Sequence, residues 1–351
     1  MASMKTPPRA QDPSPLRWGF VGTGNIANWM ADVVRSTPAA ELAAVASRST
    51  ATASAFATRH GAGRAFGAWA EMLSWNGIDA VYVATPTALR EEICVAAARA
   101  GKHVLGEKPF ATLASLRRIT AACRDNGVAF MDATHFVHHP RTAAILANMG
   151  ETTGRPQSLD TSFLIALADR SGIRYDPALE PLGALGDLGW YTMRATLEYL
   201  APAAGLRSVS ARLRHDDHTG AIIAGEGLLT FEDGVVSSWR CAFDADAVDI
   251  GLRLSGPLGE IRMDNFVGEE QDGTASYRHS SAGAADAGAT TFGVESRFSG
   301  PSLMFQDFAA SARDPSLRER WMQASERTQA LLDAVHEAAA GPHAAAGRPT
   351  A

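Results

Sequence analysis

Cysteine is scarce: Cys94, Cys123 and Cys241 are the only three in 351 residues, and they stand far apart with no C-x-x-C pair. That excludes a disulfide framework and a zinc knuckle, and it fits a reducing cytoplasm. No run of about 18 apolar residues occurs, so nothing reads as a membrane-spanning helix. A basic excess is missing too. With 38 Asp+Glu against 32 Lys+Arg, the formal net charge is −6, the wrong sign for a general nucleic-acid or anionic-membrane binder. Phosphate-bearing ligands must then be met locally. Residues 1–14 and 341–351 carry Pro, Ser and small residues without apolar periodicity and read as disordered tails.

What the chain does contain is enough apolar residue, 46%, and enough length for two domains with their own cores. From residue 15 to 134 short apolar runs alternate with longer amphipathic ones. The runs Arg17–Val21, Glu41–Ala46, Ala80–Ala84, His103–Leu105 and Val128–Met131 read as strands. Between them Ile26–Ser36, Ser54–His60, Glu91–Ala100 and Leu113–Asn126 read as helices. This rhythm predicts a parallel sheet covered by helices, an α/β Rossmann domain. Over 135–340 the rhythm changes. Leu206–Leu213, Ala221–Phe231, Val235–Phe243, Val248–Ser255 and Gly259–Met263 follow one another as strands separated by turn residues, which predicts an open, mainly antiparallel sheet in an α+β substrate and oligomerisation domain. Helices are expected near Leu185–Leu200, Leu303–Ala312 and Glu319–Ala339. The Gly, Ala and Ser-rich piece from Gly268 to Gly293 reads as a mobile excursion.

The first chemical signal is Gly22-Thr23-Gly24-Asn25-Ile26-Ala27, a strand entering G-x-G-x-x-A and then a helix. Gly22 permits the tight turn, Gly24 lets backbone amides approach a pyrophosphate, and Ala27 keeps helix and strand close. The helix N-terminus adds positive partial charge. The second strand ends in Ser47-Arg48-Ser49 with no acid to bond a ribose diol. Arg48 can fork onto a 2′-phosphate while Ser47 donates a hydroxyl. NADP(H) is therefore expected over NAD(H), with NAD(H) still possible.

A further strand ends in Thr85-Pro86, and after a helix comes Ala100-Gly101-Lys102-His103-Val104-Leu105-Gly106-Glu107-Lys108-Pro109. With these motifs the chain resembles the glucose–fructose oxidoreductase, inositol dehydrogenase and rhizopine-catabolism (Gfo/Idh/MocA) family. The resemblance implies Thr85, Pro86, Glu107 and Lys108 at the cofactor, Lys108 as the catalytic lysine, and a cis bond into Pro109. It also implies a subunit interface on the second-domain sheet, hence a homo-oligomer, dimer or tetramer. The segment Gly183-Ala184-Leu185-Gly186-Asp187-Leu188-Gly189-Trp190-Tyr191 is similar to the family's second motif. Asp187 and Tyr191 are four apart, so on a helix they share a face. Tyr191 is the expected general acid/base. Its phenol, near pKa ~10 unperturbed, needs a cation such as Lys108 to lower it before it can shuttle protons near neutrality.

Other residues stay open. Arg90 stands where the family often has His, and reads as surface charge beside Glu91 or as a greeting for an anionic substrate. The run His135-Phe136-Val137-His138-His139-Pro140-Arg141 offers three imidazoles but no carboxylate or thiolate at metal spacing, so no metal is expected. His138 and Arg141 can touch substrate or serve structure, and Trp190 can wall a sugar face or fill core. The expected activity is hydride transfer between NADP and a hydroxyl or ketone of a sugar, cyclitol or similar small molecule, in the cytoplasm. The alternatives are a redox-neutral sugar lyase or hydrolase that oxidises transiently with a retained dinucleotide, and a non-catalytic cofactor-sensing regulator.

Overall fold

The computed structural model describes residues 14–38, 40–270, 273–283 and 288–341. Apart from Ser14 and Gly341, the expected tails lie outside the described residues. Six strands, β1 (Leu16–Val21), β2 (Ala40–Ala46), β3 (Arg64–Phe66), β4 (Ala80–Val83), β5 (His103–Gly106) and β6 (Phe130–Asp132), form one parallel sheet in the order β3-β2-β1-β4-β5-β6. All four residues of β4 are buried, as a strand covered by helices on both faces requires. The connections are α1 (Asn25–Ser36), α2 (Thr50–His60), α3 (Trp69–Leu73), α4 (Thr87–Arg99) and α5 (Leu113–Asp125). The sheet order reverses between β1 and β4, and in such folds ligands lie outside the carboxyl ends of the strands at that reversal.

After β6 come α6 (Pro140–Thr152) and β7 (Ser158–Ala166), then α7 (Gly183–Asp187) and α8 (Gly189–Ala195), which runs on as a π turn over Thr196–Leu200. The second sheet adds β8 (Leu206–His215), β9 (Ile222–Phe231), β10 (Val236–Ala242), β11 (Asp244–Asp249), β12 (Leu252–Gly256), β13 (Gly259–Met263), β14 (Thr274–Ser281) and β15 (Thr290–Glu295). Its pairs are antiparallel except β7 with β10, and its path runs β15-β14-β13-β12-β7-β10-β9-β8. The sequence pattern hides β7, because Asp160, Thr161 and Ser162 interrupt its apolar alternation although it pairs at the centre.

Two expectations need correcting. The Gly268–Gly293 piece is no simple excursion: β14 and β15 extend the sheet, with Tyr277 stacked on Phe292 at 5.1 Å. Few apolar residues mark these edge strands, so the pattern gave no signal. The single run Val248–Ser255 is instead divided between β11 and β12 around Gly251, whose carbonyl accepts from the Ser162 amide at 2.9 Å.

The chain closes with α9 (Gly300–Arg313) and α10 (Arg318–Ala340). α9 packs on the first sheet, and α10 lies between the units, against β6 and α5 on one side and β8 and α8 on the other. Phe305 and Phe308 each pack 4.9 Å from Trp18 of β1, and each buried Phe contributes about 1.5–3 kcal/mol. Gln329 and Asp333 of α10 accept the amides of Phe110 and Leu113 at 3.0 and 2.7 Å. Among the described residues no helix is long and apolar enough to cross a membrane.

Candidate active site

The nucleotide groove starts where β1 turns into α1. Gly22 has φ +109, and a Cβ there would stand 2.7 Å from the Ala84 carbonyl oxygen, so both conformation and space demand glycine. Gly24 precedes α1 with open space around it. Asn25 and Ile26 form the first turn, with Asn25 exposed and Ile26 half-buried. Thr23 and Ser47 join the glycine turn to the end of β2 through their hydroxyls at 3.3 Å. Arg48 is exposed beside them.

At the end of β4, the Thr85 hydroxyl is buried without a hydrogen-bond partner among the described residues, and Pro86 leads into α4. A buried orphan hydroxyl is costly unless a ligand satisfies it. The irreplaceable glycine, the orphan hydroxyl and the exposed Arg48 together fit a dinucleotide phosphate.

Lys108 follows β5, and its bond to Pro109 is cis, as the resemblance implied. Pro109 lies under Gly186 of α7, where a Cβ would come within 2.7 Å of its ring. That close approach brings Lys108 Nζ to 2.5 Å from Asp187 Oδ1 and 2.6 Å from the Asp187 carbonyl. Asp187 ends α7, and Leu188 keeps helical dihedrals before α8 begins. Tyr191 is thereby carried to the same point, with Lys108 Nζ 4.7 Å from its ring centroid. Phe163 of β7 packs against that ring at 5.3 Å and His135 at 5.9 Å. The three expected catalytic side chains thus converge between the two sheets.

The sequence pattern missed a fourth member. Arg174, on the short 3-10 turn Ile173–Tyr175, donates from Nε to Asp187 Oδ2 at 2.6 Å. Burial would raise the Asp187 pKa, but Lys108 and Arg174 outweigh it and hold the carboxyl well below the usual range. Tyr191 moves the other way. Burial, then the Glu107, Asp187 and Asp132 carboxylates, push its phenol well above the ordinary value. This corrects the expectation that Lys108 lowers it. Glu107 is buried and accepts from the Tyr82 hydroxyl; burial raises its pKa against the pull of Lys108. His135, also buried, is pushed down to about 3 by burial, then by Lys108 and His138, so its imidazole is neutral.

The three substrate candidates face elsewhere. Trp190 is 0% exposed and donates to the Thr134 hydroxyl at 2.6 Å. His138 bonds Asp307 at 2.8 Å and stacks 4.7 Å from Trp321. Arg141, 2% exposed, donates to the carbonyls of Asn265 and Phe266 at 2.8 and 2.5 Å. Each of the three is tied into the fold by these bonds, although His138 Nε2 and Arg141 Nε are buried without a partner among the described residues. Arg90 is not surface charge either. Buried, it donates to Thr87 at 2.7 Å and to the Pro109 carbonyl, while Glu91 pairs with Arg118. His139 caps α6 through its Nδ1 at 3.1 Å, so the imidazoles of the histidine run point to different partners.

Comparison with known proteins agrees with this geometry. The family model described as "Oxidoreductase family, NAD-binding Rossmann fold" matches residues 16–134. The chain is 34% identical over 254 residues to a dTDP-3,4-didehydro-2,6-dideoxy-alpha-D-glucose 3-reductase from Actinomadura kijaniata, covering 71% of this chain and 75% of the relative. Its counterpart from Streptomyces violaceoruber is 33% identical over 340 residues, covering 92% and 95%. The crystal structure of a 3-ketoreductase from Actinomadura kijaniata in complex with NADP and TDP-benzene superposes with a TM-score of 0.85 at 28% identity, covering 93% and 98% of the two chains. With the glycine turn, the cis Lys108–Pro109 bond and the second-domain sheet all in place, the chain belongs to the Gfo/Idh/MocA family of oxidoreductases.

Proposed function

We propose that this protein is an NADP(H)-dependent oxidoreductase that interconverts a hydroxyl and a ketone on a sugar-like substrate, with Tyr191 as acid/base and Lys108 orienting the substrate oxygen. The observation that carries the reading is the placement of Lys108. One ammonium contacts both Asp187 and the Tyr191 ring beside the nucleotide groove. When bound, NADPH supplies the hydride for the carbonyl carbon. Tyr191 donates its proton to the carbonyl oxygen and recovers one from solvent. A phenol held protonated by burial suits that donor role. Lys108 presents a charge-assisted hydrogen bond to the same oxygen, and Asp187 fixes the ammonium. Arg48, with Ser47 and Thr23 nearby, supports the 2′-phosphate.

A keto group on a nucleotide-linked deoxysugar heads the substrate classes, because both relatives named above act on one. The test is a panel of dTDP-linked keto-sugars, free keto-sugars, aldoses and inositols, offered with NADPH or NADP+ and followed by nicotinamide absorbance. Turnover with a sugar is expected. Absence of net cofactor change while product forms would favour redox-neutral chemistry instead. The open face of the second sheet, where Asp160, Glu226, Arg240 and Arg253 stand exposed in mixed charge, is the expected contact between copies. Light scattering of the purified chain checks it.

A further inference from the structure

Asp187 lies between two cations rather than one. Lys108 Nζ donates twice to Asp187, at Oδ1 and at the backbone carbonyl, and stands over the Tyr191 ring. The other carboxylate oxygen, Oδ2, accepts from Arg174 Nε at 2.6 Å. Arg174 arrives from a separate part of the chain, the turn Ile173–Tyr175 between β7 and α7. Its position is fixed by the residues that follow it. Tyr175 packs on Phe243 at 6.1 Å. Beyond it, Asp176 accepts the Glu180 amide at 2.8 Å, and Glu180 in turn accepts the Thr87 amide at 3.0 Å on α4. The guanidinium is therefore held at Asp187 by contacts of its own turn, and the bonds from Glu180 run on through Thr87 and Arg90 to the Pro109 carbonyl beside Lys108.

We infer that Arg174 is a positioning residue for the reaction: by occupying Oδ2 of Asp187 it limits that carboxylate's hold on Lys108 and keeps the ammonium available to the substrate oxygen. The inference rests on the acid/base reading of Lys108 and Tyr191 above. A carboxylate shared by two cations binds each less tightly than it would bind one, since each cation competes for the same negative charge. Without Arg174, Asp187 turns its full charge onto Lys108, and a substrate oxygen must compete with it. Arg174 also offsets part of the field of Glu107, Asp187 and Asp132 at the Tyr191 phenol. Arg174 touches neither reacting atom in this arrangement; it acts through Asp187.

The test is a double-mutant cycle on the full chain, combining Arg174→Met with Asp187→Asn, and with Arg174→Lys as the conservative variant. The first readout needs no substrate. The chain has three lysines, Lys5, Lys102 and Lys108, so lysine-selective 13Cε labelling resolves Lys108 by NMR, assigned with Lys108→Met. Arg174→Met is expected to shift the Lys108 resonance when Asp187 is present, and to leave it in place in the Asp187→Asn background. Arg174→Lys is expected to restore the wild-type position. The second readout is turnover of whichever panel sugar the wild type accepts. Arg174→Met is expected to lower kcat roughly 10-fold with KM and NADPH affinity nearly unchanged, and to cost nothing further in Asp187→Asn. A Lys108 resonance indifferent to Arg174, or losses that simply add, overturns the inference. Failure of the wild type on every sugar would instead count against the proposed function, because the NMR cycle is read without substrate.

Discussion

Lys108 Nζ stands 4.7 Å from the centroid of the Tyr191 ring, on its face, while its hydrogen bonds go to Asp187. A cation on the ring face stabilises the aromatic system electrostatically, yet burial and three carboxylates keep the phenol proton in place. A protonated phenol beside a tethered ammonium is the arrangement that the proposed donor role needs.

Removing either group should stop chemistry without emptying the groove. Tyr191→Phe and Lys108→Ala are each expected to lose at least ~10²-fold in kcat, the low end of acid/base contributions. NADPH affinity of Tyr191→Phe, measured by fluorescence titration, should stay near wild type, because the substitution removes only the phenol oxygen and leaves the ring packed against Phe163 and His135. Near-wild-type turnover in Tyr191→Phe would remove the phenol from the mechanism.

Cofactor choice should rest on Arg48. A hydrogen bond to a charged group contributes about 1.5–3 kcal/mol, roughly 10–100-fold in affinity. Arg48→Gln is expected to weaken NADPH by that factor and leave NADH untouched, as read by calorimetry with each dinucleotide. Equal weakening of both would assign Arg48 to the adenosine instead of the 2′-phosphate.

Much of this was legible because its determinants are local. Gly22, Gly24 and Ala27 lie in one turn, Lys108 and Pro109 in one short segment, and Asp187 and Tyr191 one helical turn apart. The parts that stayed hidden are set by distant packing. Arg174 reaches Asp187 from a 3-10 turn with no periodicity of its own. β7 owes its central place to parallel pairing with β10, 78 residues further along in sequence (Ser158 with Val236). For Trp190, His138 and Arg141 residue type showed capacity but not direction, and the direction is inward. Burial against Thr134, Asp307 and the carbonyls of 265 and 266 decides it.

One buried ion pair should carry the seam between the halves. Asp132, at the end of β6, accepts from Arg194 of α8, from Ser325 of α10 at 2.6 Å and from Thr134. The Arg194 and Asp132 side chains are 2% and 1% exposed. Cutting one partner strands the other charge in the interior, which costs about 3–5 kcal/mol. Arg194→Ala is expected to lose that much in urea unfolding, and Asp132→Leu combined with Arg194→Met less than either truncation alone. Additive losses in the double variant would show that the charges are solvated rather than mutually compensated.

Two histidines should make the fold acid-sensitive well above the carboxylate range. His135 is pushed down to about 3, by burial first. His103, whose Nδ1 accepts the Ala129 amide at 2.9 Å, is pushed down to about 4, again by burial first and then by Arg318. In the unfolded chain both titrate near the ordinary value of about 6.5. Below that value the unfolded state binds protons that the folded state refuses. Stability is therefore complete above about pH 6.5 and falls as pH drops toward the folded values. Each histidine contributes a slope of about 1.4 kcal/mol per pH unit inside that window. His135→Gln is expected to remove one proton equivalent from the slope of unfolding free energy between about pH 6 and pH 5, measured by urea titration at a series of pH values. An unchanged slope would mean that His135 accepts its proton in the folded protein, and the neutral imidazole beside Tyr191 would have to be given up.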